Sequence, residues 1–208
     1  MKISRPDISN AVRELSHHMH KATTEHVKAL NHLNKYILNT ADKGIQLYHS
    51  DGHLLEIIGY ADSNYGNDPD TRHSVSGFVI YLNKSLISWK SKLQPTTTLS
   101  STEAEYIALA MCLAEMSFIC QLCTTLKYDV QLPMLLYSDN TSAISMGNNF
   151  AGGRTRHVDI RWHFLCDHIQ SGDVKLHHIG TDFNLADPFT KNVTPTVFNR
   201  HLKHLITN

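Results

Sequence analysis

The pattern of apolar positions changes near residue 52. In ISNAVRELSHHMH and TTEHVKALNHLNKYILN, apolar residues recur at every third and fourth position, a spacing that puts them on one face of a helix. The short stretch IQLYH then resembles a strand, and Asp51-Gly52 is typical of a turn. We therefore predict two amphipathic helices and a short strand over residues 1–52, as an appendage to the rest of the chain.

From residue 53 onward the pattern favours short strands. LLEIIGYADSNY, VSGFVIYLN and SLISWKSK are strand-like runs, and only Asn83-Lys84 separates the last two, which predicts an antiparallel meander. A long helix is expected from about Ser101 to Leu126. It is followed by a buried central strand in LPMLLYSD, helices in NTSAISMG and RHVDIRWHFLCDHIQSG, a last strand in VKLHHI, and a helix starting at DPFTK. The order βββαβααβα predicts an α/β fold with a mixed sheet over residues 53–192, followed by a helical tail over 193–208.

Composition narrows the class of protein. The 208 residues include 19 basic and 19 acidic ones, for a formal charge of zero, so a nucleic-acid partner would have to be held by local patches. No apolar run approaches the roughly 18 residues of a membrane span, and the first residues do not resemble a signal peptide. We expect an intracellular chain with no membrane partner. Cys120-x-x-Cys123 matches half of a zinc site, but no second pair completes it, which favours core packing.

Histidines suggest a second metal hypothesis. His157, His163 and His168 lie within RHVDIRWHFLCDHI, and on a helix His163 and Asp167 would share a face. No further ligand motif completes a site, so the sequence favours histidines on a half-exposed helix.

Two glutamates start the long helix, in LSSTEAEYIALA. Because a helix turns about 100° per residue, Glu103 and Glu105 must point in nearly opposite directions. Glu105 shares its side of the helix with Leu109 and Met116, whereas Glu103 falls in the polar sector with Gln121. Each also completes a capping-box pattern with the hydroxyl residue three positions before it. Capping accounts for Glu103, and for Glu105 it stays an alternative to a functional role.

Three aspartates lie where an active site could form, and each has a structural alternative. Asp62 falls within the first strand, or is a surface aspartate near a turn. Asp139 ends the buried strand, where sheet sites are common, or caps the next helix. Asp187 precedes Pro188, a pairing that is ordinary at a helix start.

Seven motifs together resemble the ribonuclease H domain of copia-type LTR retrotransposon polyproteins. They are YADSNYG, DTRHSVSGFVIYL, ISWKSK, LSSTEAEYIALA, LYSDNTSAI, RHVDIRWHF and NLADPFTK. The resemblance runs from about Gly59 to Lys191, and the residues upstream look like the tail of the same element's reverse transcriptase.

The resemblance implies an RNase H-like fold, with a mixed five-stranded sheet flanked by helices, and an acidic site that binds two Mg²⁺ ions, with Mn²⁺ as the alternative ion. The implied metal ligands and catalytic residues are Asp62, Glu105, Asp139 and Asp187. The implied activity is hydrolysis of the RNA strand of RNA–DNA hybrids during reverse transcription. The implied partner is the polymerase domain of the same polyprotein, in cytoplasmic virus-like particles, with the nucleus as a further compartment.

Four further residues are candidates for binding the substrate, and each has a structural alternative. Arg72, Lys90 and Lys92 are candidates for binding phosphates, or are solvated charges at strand edges; Asn140 is a candidate substrate contact or a helix cap. An integrase or transposase of related fold would carry its glutamate on a late helix, and Glu105 on the first long helix of the domain argues against that class. A domesticated or inactive module that binds nucleic acid or protein remains the alternative.

Overall fold

The structure is a computed structural model that describes residues 4–49, 52–148 and 160–207. The strands are β1 (Leu54–Leu55), β2 (Ile57–Asn64), β3 (Val75–Leu82), β4 (Ser85–Leu93), β5 (Asp129–Val130), β6 (Met134–Ser138) and β7 (Val174–His178). The helices are α1 (Ser9–His17), α2 (Thr24–Asn39), α3 (Ser101–Thr125), α4 (Thr141–Asn148), α5 (Ile160–Gln170) and α6 (Pro195–Leu205). Short 3₁₀ turns cover Pro6–Ile8, Met19–Lys21, Thr181–Phe183 and Asp187–Phe189.

A mixed five-stranded sheet in the order β4-β3-β2-β6-β7 is the centre of the domain. β2, β3 and β4 form an antiparallel meander, and β6 and β7 run parallel to β2. Asn83 permits the tight turn between β3 and β4 because it adopts a left-handed φ of 54°. The order and directions are those of the RNase H fold, so the predicted fold class is confirmed.

Helix α3 is the main helix on one face of the sheet. Its buried side chains, among them Cys112 and Met116, pack on β2. A Cβ atom on Gly59 of β2 would lie 2.5 Å from the Met116 sulfur and 2.9 Å from the Cys112 sulfur, so only glycine permits this close approach. By length and composition α3 could span a membrane, but these contacts make it a core helix. Cys120 and Cys123 pack in or against the same core, as the core-packing interpretation predicts.

The opposite face of the sheet is covered by α6 and the turn Asp187–Phe189. Val79 and Leu86 of the sheet pack there against Phe189 and Leu205. The sheet is therefore covered by α3 on one face and by the last part of the chain on the other.

Three element predictions are wrong in detail. IQLYH is not a strand: only Gly44 makes an isolated bridge, to Thr207, and the Tyr48 amide bonds to the Ser85 side chain instead of to a strand. DPFTK forms one 3₁₀ turn and not the start of a longer helix. β6 is not the central strand, because β2 occupies that position and Tyr137 of β6 stays half-buried.

The two N-terminal helices form as predicted, and α1 packs on the edge of the sheet. The Arg13 guanidinium donates to the Ser91 hydroxyl of β4 at 2.9 Å, and Ile8, just before α1, is buried. The appendage is thus attached to the domain through α1 and through Tyr36 of α2, whose ring lies 6.0 Å from that of Phe198. Another part of α2 exposes the apolar residues Val27, Leu30 and Leu38.

Candidate active site

Asp62 lies inside β2, near its carboxyl end, and is only 2% exposed. Its Oδ2 accepts a hydrogen bond from the Thr190 hydroxyl. Burial raises the pKa of Asp62 from its ordinary value of 3.8 to about 7, and the charge of Asp187 adds to this rise, while Lys191 and Thr190 oppose it. A carboxylate in this position is costly without a cation.

Asp139 and Asp187 approach Asp62 from two other elements. Asp139 directly follows β6, which runs parallel to β2, so the carboxyl ends of the two strands meet. Asp187 comes from the turn on the other face. One oxygen from each of the three aspartates lies within 4.8 Å of the others. No other group of histidine, cysteine and acidic side chains converges in this way in the parts of the chain that the structure describes.

The turn with Asp187 is fixed by buried polar side chains. The Asn184 amide donates to the Ala61 carbonyl of β2 at 2.9 Å, and its oxygen accepts from the Ala186 amide at 3.1 Å. Thr190, fully buried, also bonds to the Asp187 carbonyl at 3.1 Å. These bonds hold the turn directly against β2.

Gly77 makes room for this turn on the neighbouring strand. It lies opposite Asp62 in the β2–β3 pair. A Cβ atom at Gly77 would lie 2.7 Å from the Thr190 methyl carbon and 2.8 Å from the Phe189 Cβ. A side chain on Gly77 would therefore push the turn, and Asp187 with it, away from Asp62.

Glu105 lies on α3 beside the three aspartates. It is 7% exposed, its Oε1 accepts from the Ser63 amide of β2 at 3.2 Å, and its buried Oε2 has no hydrogen-bond partner among the described residues. Burial, followed by the charges of Asp62 and Asp139, raises the pKa of Glu105 to about 9. Glu105 is outside the group of three whose oxygens lie within 4.8 Å, but it shares their electrostatic field.

Glu103 has the structural role. It is exposed, its Oε2 accepts from the Leu99 amide at 2.6 Å, and its own amide donates to the Ser100 hydroxyl at 3.1 Å. The opposite directions predicted for Glu103 and Glu105 are confirmed. The capping alternative is right for Glu103 and wrong for Glu105, whose carboxylate bonds to β2 instead.

The capping alternatives for Asp139 and Asp187 are also wrong. Asn140, and not Asp139, caps α4, because its side-chain oxygen accepts from the Ala143 amide at 2.9 Å. Asp187 lies within its turn and makes no capping hydrogen bond. Neither aspartate carboxylate is used for capping, and both belong to the acidic cluster.

Lys191 is a site residue that the sequence analysis did not identify. Its ammonium lies 3.0 Å from Asp187 Oδ1 and 3.9 Å from Asp62 Oδ2. Burial lowers the pKa of Lys191, but the three aspartates raise it more. The sequence feature that could have indicated it is the spacing of four residues between Asp187 and Lys191, which suits an ion pair. Burial also raises the pKa of Asp187, with Asp139 adding to the rise and Lys191 opposing it.

Among the described residues, the three basic candidates make no ion pair with Asp62 or Asp187. Lys90 of β4 pairs with Phe78, whose side chain is in the core beneath α3, whereas Asp62 is in register with Gly77 and Ser91 on the opposite face. The side chains of Lys90 and Lys92 therefore project from the sheet face opposite Asp62. Arg72 is in the exposed loop between β2 and β3, with a left-handed φ of 57°.

The histidine hypothesis gains no support from the described residues. His157 lies outside them, His163 is exposed, and the His168 ring bonds to Asp173 at 2.9 Å. The pair His163 and Asp167 is not part of a converging ligand group.

The chain is similar in sequence to parts of transposon polyproteins. No protein-family model matches it. It is 38% identical over 199 residues to the retrovirus-related Pol polyprotein from transposon RE1 of Arabidopsis thaliana, which covers 95% of this chain and 13% of that protein. It is 33% identical over 199 residues to the polyprotein from transposon TNT 1-94 of Nicotiana tabacum, covering 95% of this chain and 15% of that protein. The chain thus spans less than a sixth of the length of these relatives.

Two solved structures are similar in fold. The foamy viral protease–reverse transcriptase in complex with an RNA/DNA hybrid matches 93% of this chain and 25% of its own, with a TM-score of 0.53 and 15% identity. An RNase H1 in complex with an RNA/DNA hybrid matches 65% of this chain and 94% of its own, with a TM-score of 0.49 and 15% identity. Over nearly its whole length, this chain is a homologue of part of the copia-type retrotransposon Pol polyproteins, and its domain has the RNase H fold.

Proposed function

We propose that this chain is a ribonuclease H that hydrolyses the RNA strand of RNA–DNA hybrids during retrotransposon reverse transcription. The observation that carries the proposal is the convergence of Asp62, Asp139 and Asp187 at the carboxyl ends of two parallel strands, with Glu105 buried beside them. The homology to transposon Pol polyproteins and the fold shared with a reverse transcriptase bound to a hybrid support the choice of substrate.

The donor set suits Mg²⁺. Carboxylate oxygens are the hard ligands that this ion prefers, and the unpartnered Glu105 Oε2 supplies a buried oxygen with unused bonding capacity. Asp62, Asp139 and Asp187 would hold the metal, with Glu105 as the fourth ligand residue. Two divalent ions, Mg²⁺ or Mn²⁺, would supply activation of a water and stabilisation of the leaving 3′ oxygen.

The protein's own contribution is a fixed cluster of carboxyl groups that can ionise when a cation binds. Thr190 and Asn184 hold the Asp62 and Asp187 elements together, and Ser63 orients Glu105. Because these bonds exist before any ligand arrives, the acids need little rearrangement to bind a cation. Discrimination for RNA would come from contacts to 2′-hydroxyls in the shallow minor groove. Arg72, Lys90 and Lys92 stay proposed contacts to substrate phosphates, and Asn140 stays a proposed substrate contact.

The polymerase domain of the same polyprotein is the proposed protein partner. The relatives are far longer than this chain, and the exposed apolar residues Val27, Leu30 and Leu38 of α2 offer a surface for such a contact. We retain an intracellular location in virus-like particles, with a nuclear phase, as part of this proposal.

A panel of substrates tests the proposed function. The 208-residue chain is incubated with Mg²⁺ and end-labelled RNA–DNA hybrid, double-stranded RNA, double-stranded DNA or single-stranded RNA of one sequence. We expect cleavage of the RNA strand in the hybrid alone. Binding of the hybrid with no cleavage would instead favour an inactive nucleic-acid-binding module.

A further inference from the structure

Lys191 lies within the acid cluster. Its side chain is 35% exposed, whereas the Asp62 and Asp187 side chains are 2% and 6% exposed, so Lys191 is the most accessible of the three. Among the described residues, no other ion pair involves Asp62 or Asp187.

The position of Lys191 is set by its neighbours in the chain. Thr190, directly before it, is fully buried and bonds to both Asp62 and the Asp187 carbonyl. Lys191 also lies four residues after Asp187, and its own amide bonds to the Asp187 carbonyl at 3.3 Å. The ammonium is therefore tethered beside the two aspartates.

A divalent cation and this ammonium require the same oxygens. Asp187 Oδ1 and Asp62 Oδ2 are close to Lys191 Nζ, and both aspartates belong to the group whose oxygens converge. A metal ion that coordinates these oxygens competes with the ammonium for them, because like charges 3 to 4 Å apart repel each other.

We infer that Lys191 is a tethered counter-cation that neutralises Asp62 and Asp187 until metal binds and must leave them when it does. The inference rests on the metal site of the proposed function. Lys191 is a positioning residue in this account: it keeps the acids together without metal, at the expense of metal affinity. A long, flexible lysine side chain is suited to such a movement, whereas the planar fork of arginine would hold carboxylates more firmly.

Metal binding measured without any substrate tests the inference. The 208-residue chain is treated with EDTA and dialysed, Mn²⁺ is added in steps, and the free Mn²⁺ is measured by electron paramagnetic resonance. The melting temperature is recorded with and without metal. For Lys191→Met we expect Mn²⁺ to bind about tenfold more tightly, which is about 1.4 kcal/mol. The melting temperature without metal should fall by about 2 to 4 °C, and saturating Mn²⁺ should raise it by more than in the unaltered chain.

Two further variants make the result specific. Lys191→Arg keeps the charge and should bind Mn²⁺ no more tightly than the unaltered chain. If Lys191→Met does not fold, tighter Mn²⁺ binding by Lys191→Arg would still overturn the inference. Lys175→Met removes the same charge from an exposed position on β7 and should leave Mn²⁺ affinity unchanged within twofold.

The possible failures are distinguishable. If the unaltered chain binds Mn²⁺ but Lys191→Met binds it equally or more weakly, the inference about Lys191 is overturned and the metal site stands. If Lys191→Met and Lys175→Met tighten binding equally, the effect is one of net charge and the inference is again overturned. If neither the unaltered chain nor any variant binds Mn²⁺, the metal site of the proposed function fails as well.

Discussion

Replacing Glu105 with glutamine should abolish activity while making the metal-free fold more stable. The two side chains have nearly the same shape, so the change removes an ionisable group without leaving a cavity. In the folded protein the pKa of Glu105 is about 9, against an ordinary value of 4.5. The folded state therefore retains a proton that the unfolded state releases, and the stability of the fold falls as the pH rises from about 4.5 to about 9.

The size of the effect follows from this difference. At pH 8 the raised pKa corresponds to a cost of at most about 5 kcal/mol, at about 1.4 kcal/mol per pH unit above 4.5. Relaxation of the site and the coupling to Asp62 reduce that figure, and we expect Glu105→Gln to gain about 1 to 3 kcal/mol at pH 8 and nearly nothing at pH 5. Cleavage should fall by several orders of magnitude, because a metal-facing charge is lost.

Glu103→Gln is the matched control, with the same chemical change two residues away. Glu103 is exposed and bonds only to the start of α3, so the substitution should cost at most about 1 kcal/mol and leave cleavage largely intact. Urea unfolding in EDTA at pH 5 and pH 8, together with cleavage of a labelled hybrid in Mg²⁺, measures both quantities. If Glu103→Gln abolishes cleavage and Glu105→Gln retains it, the assignment of the two glutamates is wrong.

Two other predictions follow from the geometry and the charge. Gly77→Ala should destabilise the fold by about 1 to 3 kcal/mol and reduce Mn²⁺ affinity, because its Cβ would lie 2.7 Å from Thr190. Gly180→Ala, where the nearest atom would be 3.5 Å away, should do neither in the same melting and titration experiments, and equal effects of the two would refute the steric argument. With a formal charge of zero, the chain alone should bind hybrid weakly, with affinity falling at a slope of roughly −0.9 per phosphate contact as salt rises. Fusing the upstream polymerase domain should improve affinity about tenfold or more, and tight, salt-insensitive binding by the chain alone would contradict this.

The features that were predicted correctly from the sequence are those that depend on local periodicity and on short connections. The helical phase of Glu105 against Glu103 was correct because Leu109 and Met116 mark the buried side of α3 within a few residues. The meander of β2, β3 and β4 was correct because Asn83-Lys84 leaves no room for a crossover.

Features that depend on distant contacts were not predictable in this way. Lys191 acquires its role from Asp62, which is far away in the sequence. That Asn140 caps α4 depends on where α4 begins, which is at Thr141. Lys90 lies on the sheet face opposite Asp62 because of a strand register that no local pattern specifies. IQLYH failed as a strand because its residues pair with no strand among the described residues, and the nearby bridge to Thr207 is made by Gly44.

Metal-dependent cleavage of a hybrid by the purified 208-residue chain tests the central claim most directly. A hybrid with labelled RNA is incubated with the chain in Mg²⁺, in Ca²⁺ and in EDTA, with Glu105→Gln purified in parallel to exclude a contaminating nuclease. We predict RNA fragments with 5′-phosphates in Mg²⁺, little cleavage in Ca²⁺, whose looser coordination aligns the reacting groups poorly, and none in EDTA or with the variant. Intact RNA in Mg²⁺ with a folded chain, or equal cleavage in EDTA, would contradict the account.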